Sequence, residues 1–184
     1  LRKFFFKNLL KRLTAIKLLV FDVDGVLTDG SIFIANDGTV TKKFNVKDGL
    51  GLKILLKEGL KIIFLSGSNS NSIKIRAEQL GITKCVINAK DKVKEIKALQ
   101  NELGFRNFDT AFVGDDLNDL KVKKYVSVFI SPLDAITEIR NNSDIVLQTK
   151  GGFGAAREVA EILLKVNKLI DFYKSFGWVD KNDV

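Results

Sequence analysis

Residues 18–30 read LLVFDVDGVLTDG, in which a short apolar run is followed by Asp22, Asp24 and Gly25. The run 18–21 is typical of a strand that is buried on both faces of a parallel sheet. Because strand side chains alternate, Asp22 and Asp24 point to the same side at the carboxyl end of that strand. Repulsion between the two carboxylates, about 4 kcal/mol at ~4 Å, favours a bound cation such as Mg²⁺ or protonation of one acid. The acids could also simply end the strand and cap the next turn.

Composition excludes several kinds of chemistry. The chain has 184 residues with 46% apolar and 28% charged side chains, which is ordinary for one globular domain with a substantial core. No apolar run approaches the ~20 residues that span a bilayer, and no signal-peptide pattern is present, so we expect a cytoplasmic protein without an integral membrane segment. The single Cys85 agrees with a reducing compartment. Histidine is absent, which leaves acid–base chemistry to Asp, Glu, Lys, Tyr or Cys.

The formal net charge of +8 comes from lysines that are mixed with acids along the chain, so we expect no nucleic-acid partner. Residues 1–16 are the exception, and we predict a basic amphipathic helix there, ahead of a single domain at 17–184. Such a helix could lie on a membrane surface or bind an acidic partner. We favour the alternative that its apolar side packs on the domain or on a second subunit.

Strand patterns alternate with helical patterns through the rest of the chain, which predicts an α/β fold with a doubly wound parallel sheet. Three polar candidates each follow a predicted strand: Ser66, Lys92 and Asp115. A serine before a glycine turn and a helix suits a phosphate, and a lysine at a helix start favours an anionic partner. Since ligands bind beyond the carboxyl ends of such strands, these residues should converge with Asp22 and Asp24.

A hairpin is predicted directly after the first acids. Residues 31–35 and 39–44 read as two strands around the turn Asn36-Asp37-Gly38. The hairpin would stand over the acids as a flap. In the next segment, Asn45 or Asp48 could cap the helix that runs toward Gly59.

These motifs resemble those of the haloacid dehalogenase superfamily of phosphatases. Asp22-Val23-Asp24-Gly25 is similar to its first motif, and the extension Leu27-Thr28-Asp29-Gly30 is similar to the branch of 3-deoxy-D-manno-octulosonate 8-phosphate and sialic-acid-type sugar phosphatases. The resemblance implies a Rossmann-like fold with a small hairpin flap and no large cap domain. It also implies hydrolysis of a sugar phosphate through a phospho-aspartyl intermediate, with Mg²⁺ as cofactor.

The resemblance implies a role for each motif residue. Asp22 would be the nucleophile and Asp24 the general acid and base, while Ser66 and Lys92 hold the phosphoryl group, with Lys90 competing for the role of Lys92. Mg²⁺ would be bound by Asp22, the Asp24 carbonyl and Asp115, supported by Asp116 and Asp119. From its residues alone, this second acidic run could instead be a turn or a calcium site.

Substrate contacts also follow from the resemblance. It assigns them to Asp24, Asn45, Val46, Lys47, Asp48, Gly49, Lys53, Gly67, Ser68, Arg76 and Lys92. Ser68 departs from the branch, which has an arginine there, and serine cannot bind a carboxylate bidentately. Arg76 could equally be a solvated helix charge.

The tail motif GGFGAARE at 151–158 is similar to a segment that helps close the site in a tetrameric relative, which assigns Arg157 to that role. The glycines could also be a flexible approach to a helix.

The sequence therefore predicts a homotetrameric phosphatase of 3-deoxy-D-manno-octulosonate 8-phosphate, active in lipopolysaccharide biosynthesis. Three alternatives stay open: a nine-carbon sugar phosphate as substrate, a non-catalytic regulatory or assembly subunit, and a receiver-type signalling domain. The last lacks an acid two residues after its phosphorylated aspartate.

Overall fold

The computed structural model describes residues 2–177, with side chains from Lys7 onward. Strands are β1 (Leu18–Phe21), β2 (Phe33–Ile34), β3 (Val40–Thr41), β4 (Lys61–Leu65), β5 (Lys84–Val86), β6 (Thr110–Val113), β7 (Val128–Ser131) and β8 (Ile145–Val146). Helices are α1 (Arg2–Thr14), α2 (Val46–Lys57), α3 (Asn71–Leu80), α4 (Lys92–Leu103), α5 (Leu117–Leu120), α6 (Thr137–Asn142), α7 (Ala155–Val166) and α8 (Ile170–Phe176), with 3₁₀ turns at Asn107–Asp109 and Lys121–Tyr125.

Six strands form one parallel sheet in the order β5-β4-β1-β6-β7-β8. The predicted strand 18–21 lies at its centre, with Phe21 paired to Phe64 of β4 and Val113 of β6. All four β1 residues are fully buried, because Leu19 and Phe21 face one core layer while Leu18 and Val20 face the other. The predicted α/β class with a parallel sheet is confirmed.

Helices cover both faces of the sheet. The layer that contains Phe21 is formed with α2, α3 and α7, whereas the layer that contains Val20 is formed with α4. Burial of one such large apolar side chain contributes about 1.5–3 kcal/mol. The helices that carry the substrate candidates Asp48 and Arg76 therefore lie on the face opposite to the helix that begins at Lys92.

The predicted hairpin is present but its strands are short. β2 and β3 pair antiparallel over two residues each, with Phe33 opposite Thr41. Every side chain from residue 31 to 41 is exposed, so the strands have no layer against which to extend.

The N-terminal segment forms the predicted helix, and its later part packs on the domain. Leu13 and Ile16 are buried in the core layer of α7. Arg12 makes an ion pair with Asp144, with 2.9 Å between Nη2 and Oδ1. Within residues 2–177 no helix combines the length and apolar character that a membrane span requires.

Candidate active site

The carboxyl ends of three adjacent strands place the polar candidates along one edge of the sheet. Ser66 follows β4, Asp22 follows β1 and Asp115 lies two residues after β6, in the spatial order of those strands. Backbone bonds continue the sheet to this edge, since the Asp22 amide donates to the Val113 carbonyl at 2.9 Å. Residues far apart in sequence are therefore brought together as the strand pattern predicts.

Lys92 is the first residue of α4 and reaches the centre of this edge. Its Nζ lies 2.8 Å from Asp22 Oδ1 and 2.5 Å from Asp119 Oδ1, in a buried position. Burial disfavours its charge, but the two carboxylates outweigh that effect and raise the pKa of Lys92. Lys90 is exposed, and it lines a cleft of about 640 Å³ together with Lys92. Of the two lysines in question, Lys92 is the one that contacts the first acid.

Three carboxylates surround this lysine. Oxygens of Asp22, Asp115 and Asp119 all lie within 4.8 Å of one another. Burial, together with repulsion from Asp119, raises the pKa of Asp22 to about 6 against the lowering effect of Lys92. Burial and the two other acids raise the pKa of Asp115 to about 8. One ammonium among three carboxylates leaves two negative charges without a counter-charge when all are ionised.

A divalent cation fits this charge pattern. Asp115 Oδ1 is buried without a hydrogen-bond partner among the described residues, so it has an acceptor free for an ion. Gly25 lies against the same carboxylate, because a Cβ there would be 2.0 Å from Asp115 Oδ2. Carboxylate oxygens of this kind are the ligands that Mg²⁺ prefers.

Asp119, which the resemblance placed in a supporting position, contacts both Lys92 and the backbone of Asp115. It is fully buried, and its Oδ2 accepts the Asp115 amide at 3.0 Å while Oδ1 contacts Lys92. It therefore orients both the lysine and the loop of Asp115. Asp116 is exposed and caps α5 by accepting the Leu117 amide at 2.6 Å.

Sequence reasoning missed two lysines at the base of the hairpin. Lys42 pairs with Asp24, and Lys43 pairs with Asp29. The Lys42 side chain is only 4% exposed although it is charged. Lys43 also lies 5.2 Å from the centre of the Phe153 ring in the glycine tail. The only signal was the pair of adjacent lysines that ends the hairpin.

Residues 66–68 form a tight turn after β4. The buried Ser66 Oγ accepts the Ser68 amide at 3.0 Å, and the Ser68 carbonyl accepts the Asn88 amide at 2.9 Å. Gly67 is exposed at this turn and Ser68 is half-buried. The turn leaves the Ser66 hydroxyl hydrogen available to an incoming acceptor.

The start of α2 holds most of the expected substrate group. Asn45 caps the helix, with its Oδ1 accepting the Lys47 amide at 2.8 Å. Arg76 of α3 donates to the Asn45 carbonyl at 3.3 Å and lies against Gly49. Val46 and Lys47 are exposed and Lys53 is half-buried.

Asp48 and Arg157 face each other in an unexpected way. The buried Asp48 carboxylate accepts the backbone amide of Arg157 at 2.8 Å. Burial raises the pKa of Asp48 above its ordinary value, although the backbone amides of Arg157, Gly154 and Ala156 act to lower that pKa. The Arg157 guanidinium turns instead to Glu161 of the same helix, with 3.0 Å between Nε and Oε1.

No model of a known protein family matches the sequence. Curated relatives do. The 3-deoxy-D-manno-octulosonate 8-phosphate phosphatase of Escherichia coli K12 is 35% identical over 156 residues, which cover 85% of this chain and 83% of that protein. The enzyme of Yersinia pestis is 34% identical over 157 residues and covers 85% and 84%. The chain belongs to this phosphatase family of the haloacid dehalogenase superfamily.

Solved structures agree with that membership. The phosphatase of Moraxella catarrhalis, in complex with a magnesium ion, a phosphate ion and a KDO molecule, superposes with a TM-score of 0.88 at 36% identity and covers 92% of this chain and 98% of that chain. The cobalt-bound enzyme of Haemophilus influenzae gives a TM-score of 0.87 at 34% identity, covering 92% and 99%. The expected family and its fold are confirmed.

Proposed function

We propose that this protein is a magnesium-dependent phosphatase that hydrolyses 3-deoxy-D-manno-octulosonate 8-phosphate to the free sugar acid and phosphate. The observation that carries the proposal is the buried contact of Lys92 with Asp22 and Asp119, beside Asp115. It leaves one carboxylate poised as a nucleophile and a set of acids suited to a divalent ion. Membership of a family of such phosphatases supports the same reaction.

The first step transfers the phosphoryl group to the protein. Asp22 attacks phosphorus, the bond from phosphorus to the sugar oxygen breaks, and Asp24 gives its proton to the leaving alkoxide. Lys92 holds the attacking carboxylate in place and offsets charge on the phosphoryl oxygens, to which Ser66 donates a hydrogen bond.

The second step releases phosphate. Asp24, now ionised, takes a proton from a water molecule as that water attacks phosphorus, and the bond to Asp22 breaks. This restores the Asp22 carboxylate and the protonated Asp24. Asp22, Asp115 and the Asp24 carbonyl would hold Mg²⁺, with Asp116 and Asp119 supporting that loop, and the bound ion supplies positive charge near the transferring group.

We assign substrate binding to residues around the mouth of this site. The set is Asp24, Asn45, Val46, Lys47, Gly49, Lys53, Gly67, Ser68, Arg76 and Lys92. The contact of Arg76 with the Asn45 carbonyl supports it, because that contact brings a guanidinium to the start of α2. Asp48 and Arg157 lie outside this set, because the Asp48 carboxylate binds the Arg157 amide and the Arg157 guanidinium pairs with Glu161.

A nine-carbon sugar acid phosphate is the second candidate substrate. The observation that favours it is Ser68, which stands where the resemblance described above implies an arginine. A serine leaves more room and makes a weaker contact with a substrate carboxylate than an arginine does.

We also propose a cytoplasmic homotetramer that serves lipopolysaccharide biosynthesis. The exposed apolar side chains of the hairpin support an assembly, since Ile32, Phe33 and Ile34 are 56%, 59% and 69% exposed. A neighbouring subunit that packs on the hairpin would hold the hairpin over Asp22 and Asp24. The hairpin would then enclose a small site that has no cap domain.

Phosphate release from a panel of sugar phosphates tests the proposed function. The panel includes eight- and nine-carbon keto-acid phosphates, with Mg²⁺ or with excess chelator, beside Asp22→Asn. We expect Mg²⁺-dependent release that is fastest with the eight-carbon acid and absent in the variant. A faster reaction with the nine-carbon acid would favour the second substrate. Absence of release across the panel would contradict catalysis and favour the non-catalytic subunit.

A further inference from the structure

Helix α7 lacks a cap from its own chain segment. Its N-cap residue is Gly154, which has no side chain to accept the first amides. Asp48 of α2 supplies the acceptor, because its carboxylate binds the amide of Arg157, the third residue of α7, at 2.8 Å. That amide is one of those that a capping side chain ordinarily serves.

The capping contact is buried and tightly packed. Asp48 is 2% exposed, and a hydrogen bond to a backbone amide is strong in such surroundings. One turn further along α2, Gly51 lets the two helices approach, since a Cβ there would lie 3.1 Å from the Ala160 Cβ. Asp48 therefore fixes the start of α7 against the start of α2.

The segment ahead of α7, residues 151–154, lies directly on the loop that carries Asp24. The Gly152 amide donates to the Val26 carbonyl at 2.9 Å. A Cβ on Gly151 would lie 1.8 Å from the Gly25 carbonyl oxygen, so only a glycine permits this approach. Movement at the start of α7 would thus be transmitted to the acid loop at 24–29.

We propose that Asp48 is a positioning residue that caps α7 from α2 and so holds residues 151–154 against the acid loop at 24–29. It acts on the geometry of Asp24 through the backbone of the glycine segment, since its own buried carboxylate faces α7. This inference rests on the proposed phosphatase function for its kinetic readout. Its structural readout rests only on the contact of Asp48 with α7 and on the contacts of the glycine segment with the acid loop.

Kinetics of two variants separate positioning from substrate binding. Asp48→Ala removes the acceptor, and we expect kcat to fall about 10- to 100-fold with KM changed less than about threefold, as for a small misplacement of reacting groups. Asp48→Asn keeps an amide oxygen for the Arg157 amide, so we expect it to retain most of the wild-type kcat.

Asp109→Ala is the matched control for loss of a buried capping carboxylate. Asp109 is also buried, and its carboxylate accepts the backbone amide of Arg106 at 3.0 Å. It lies directly before β6, however, at the amino-terminal ends of the strands and so on the far side of the sheet from the acids. We expect this variant to lose stability while it keeps its kcat. An equal fall of kcat in Asp109→Ala and Asp48→Ala would overturn the inference.

Hydrogen–deuterium exchange gives a readout that does not depend on activity. We expect amides of 151–158 and of 24–29 to exchange faster in Asp48→Ala than in the wild type, and at nearly the wild-type rate in Asp48→Asn. If Asp48→Ala does not fold, Asp48→Ser, whose hydroxyl is too short for the contact, serves in its place.

The outcomes distinguish the inference from the function on which it rests. If Asp48→Asn raises KM strongly and loses kcat as Asp48→Ala does, the carboxylate binds substrate and the positioning role is wrong. Unchanged exchange and kcat in Asp48→Ala would also overturn it. The wild type could also be inactive on every substrate while Asp48→Ala still exchanges faster than the wild type at 151–158 and 24–29. That result would contradict the phosphatase function and support the positioning role.

Discussion

The carboxyl edge of the sheet and the hairpin that follows β1 are joined by one short loop, yet they are built in opposite ways. Asp22, directly after β1, is buried in a mutual charge network with Lys92 of α4 and Asp119 of α5. The hairpin is exposed along residues 31–41 and is tied to the domain through Lys42 and Lys43. The packing of the domain thus fixes the positions of the buried charged groups. The position of the hairpin depends instead on its two ion pairs and on any subunit that packs against it.

Asp24 stands at the junction of the two regions, and its replacement should have the largest effect. We expect Asp24→Asn to lower kcat by about 10²–10⁴-fold, because the leaving alkoxide and the attacking water lose their acid and base. Steady-state phosphate release measures the loss. Normal turnover in this variant would show that the assignment of Asp24 is wrong.

Lys92 tests whether the edge is one charge network. We expect Lys92→Ala to lower kcat by about 10²–10³-fold, since an electrostatic contact to the nucleophile and phosphoryl group is lost. Without metal, the unpaired buried acids should also cost about 3–5 kcal/mol of unfolding free energy. Kinetics and urea unfolding measure both effects.

Lys90→Ala is the control for that variant, because Lys90 is exposed whereas Lys92, two residues later, is buried. It should change kcat and stability little. Equal losses in the two variants would contradict the central position given to Lys92.

Lys42 tests whether the hairpin contributes to chemistry. Its contact with a carboxyl oxygen of Asp24 orients the side chain that serves as acid and base, so Lys42→Ala should lower kcat by about 10-fold. Lys43 pairs with Asp29 beyond the reacting groups, and Lys43→Ala should lower kcat by less than about threefold. Reversal of this order would break the proposed link between hairpin and acid.

The exposed apolar strand of the hairpin tests the assembly. Phe33→Ser together with Ile34→Ser removes the apolar surface that we assign to a subunit contact. Sedimentation velocity should show a smaller assembly, and KM should rise while the buried edge stays intact. An unchanged sedimentation coefficient would contradict the assignment of this surface to a subunit contact.

The strand ends were predictable and the links between them were not. A continuous apolar run predicts β1, and parallel strands bring Asp22, Ser66 and Asp115 to one edge without further information. The contact of Asp48 with a helix 109 residues later depends on how α2 packs on α7. The contact of Lys42 with Asp24 likewise depends on the angle at which the hairpin folds back, which no local pattern encodes.

The last prediction concerns the pH dependence of the unfolding free energy. The raised pKa values of Asp22 and Asp115 mean that the folded, metal-free protein keeps protons that the unfolded chain has lost. Its unfolding free energy should therefore fall as pH rises from about 4 to 8. Mg²⁺ replaces those protons, so it should stabilise the protein more at pH 8 than at pH 5.

Urea unfolding with and without Mg²⁺ checks this pH dependence. Asp115→Asn should flatten the metal-free slope, since its amide does not titrate. A metal-free stability that rises through this range would contradict the buried acid cluster.

The central claim is that phosphate passes through Asp22, and rapid acid quench of Asp24→Asn with p-nitrophenyl phosphate and Mg²⁺ tests it most directly, because this leaving group needs no general acid and only the hydrolysis of the intermediate then depends on Asp24. Intact-protein mass spectrometry should then show one added phosphoryl group, and peptide mapping after borohydride reduction should locate it at Asp22. Asp22→Asn should acquire none. Phosphate release by the wild type, with no phosphorylated protein trapped in Asp24→Asn or with the label on another residue, would contradict the account.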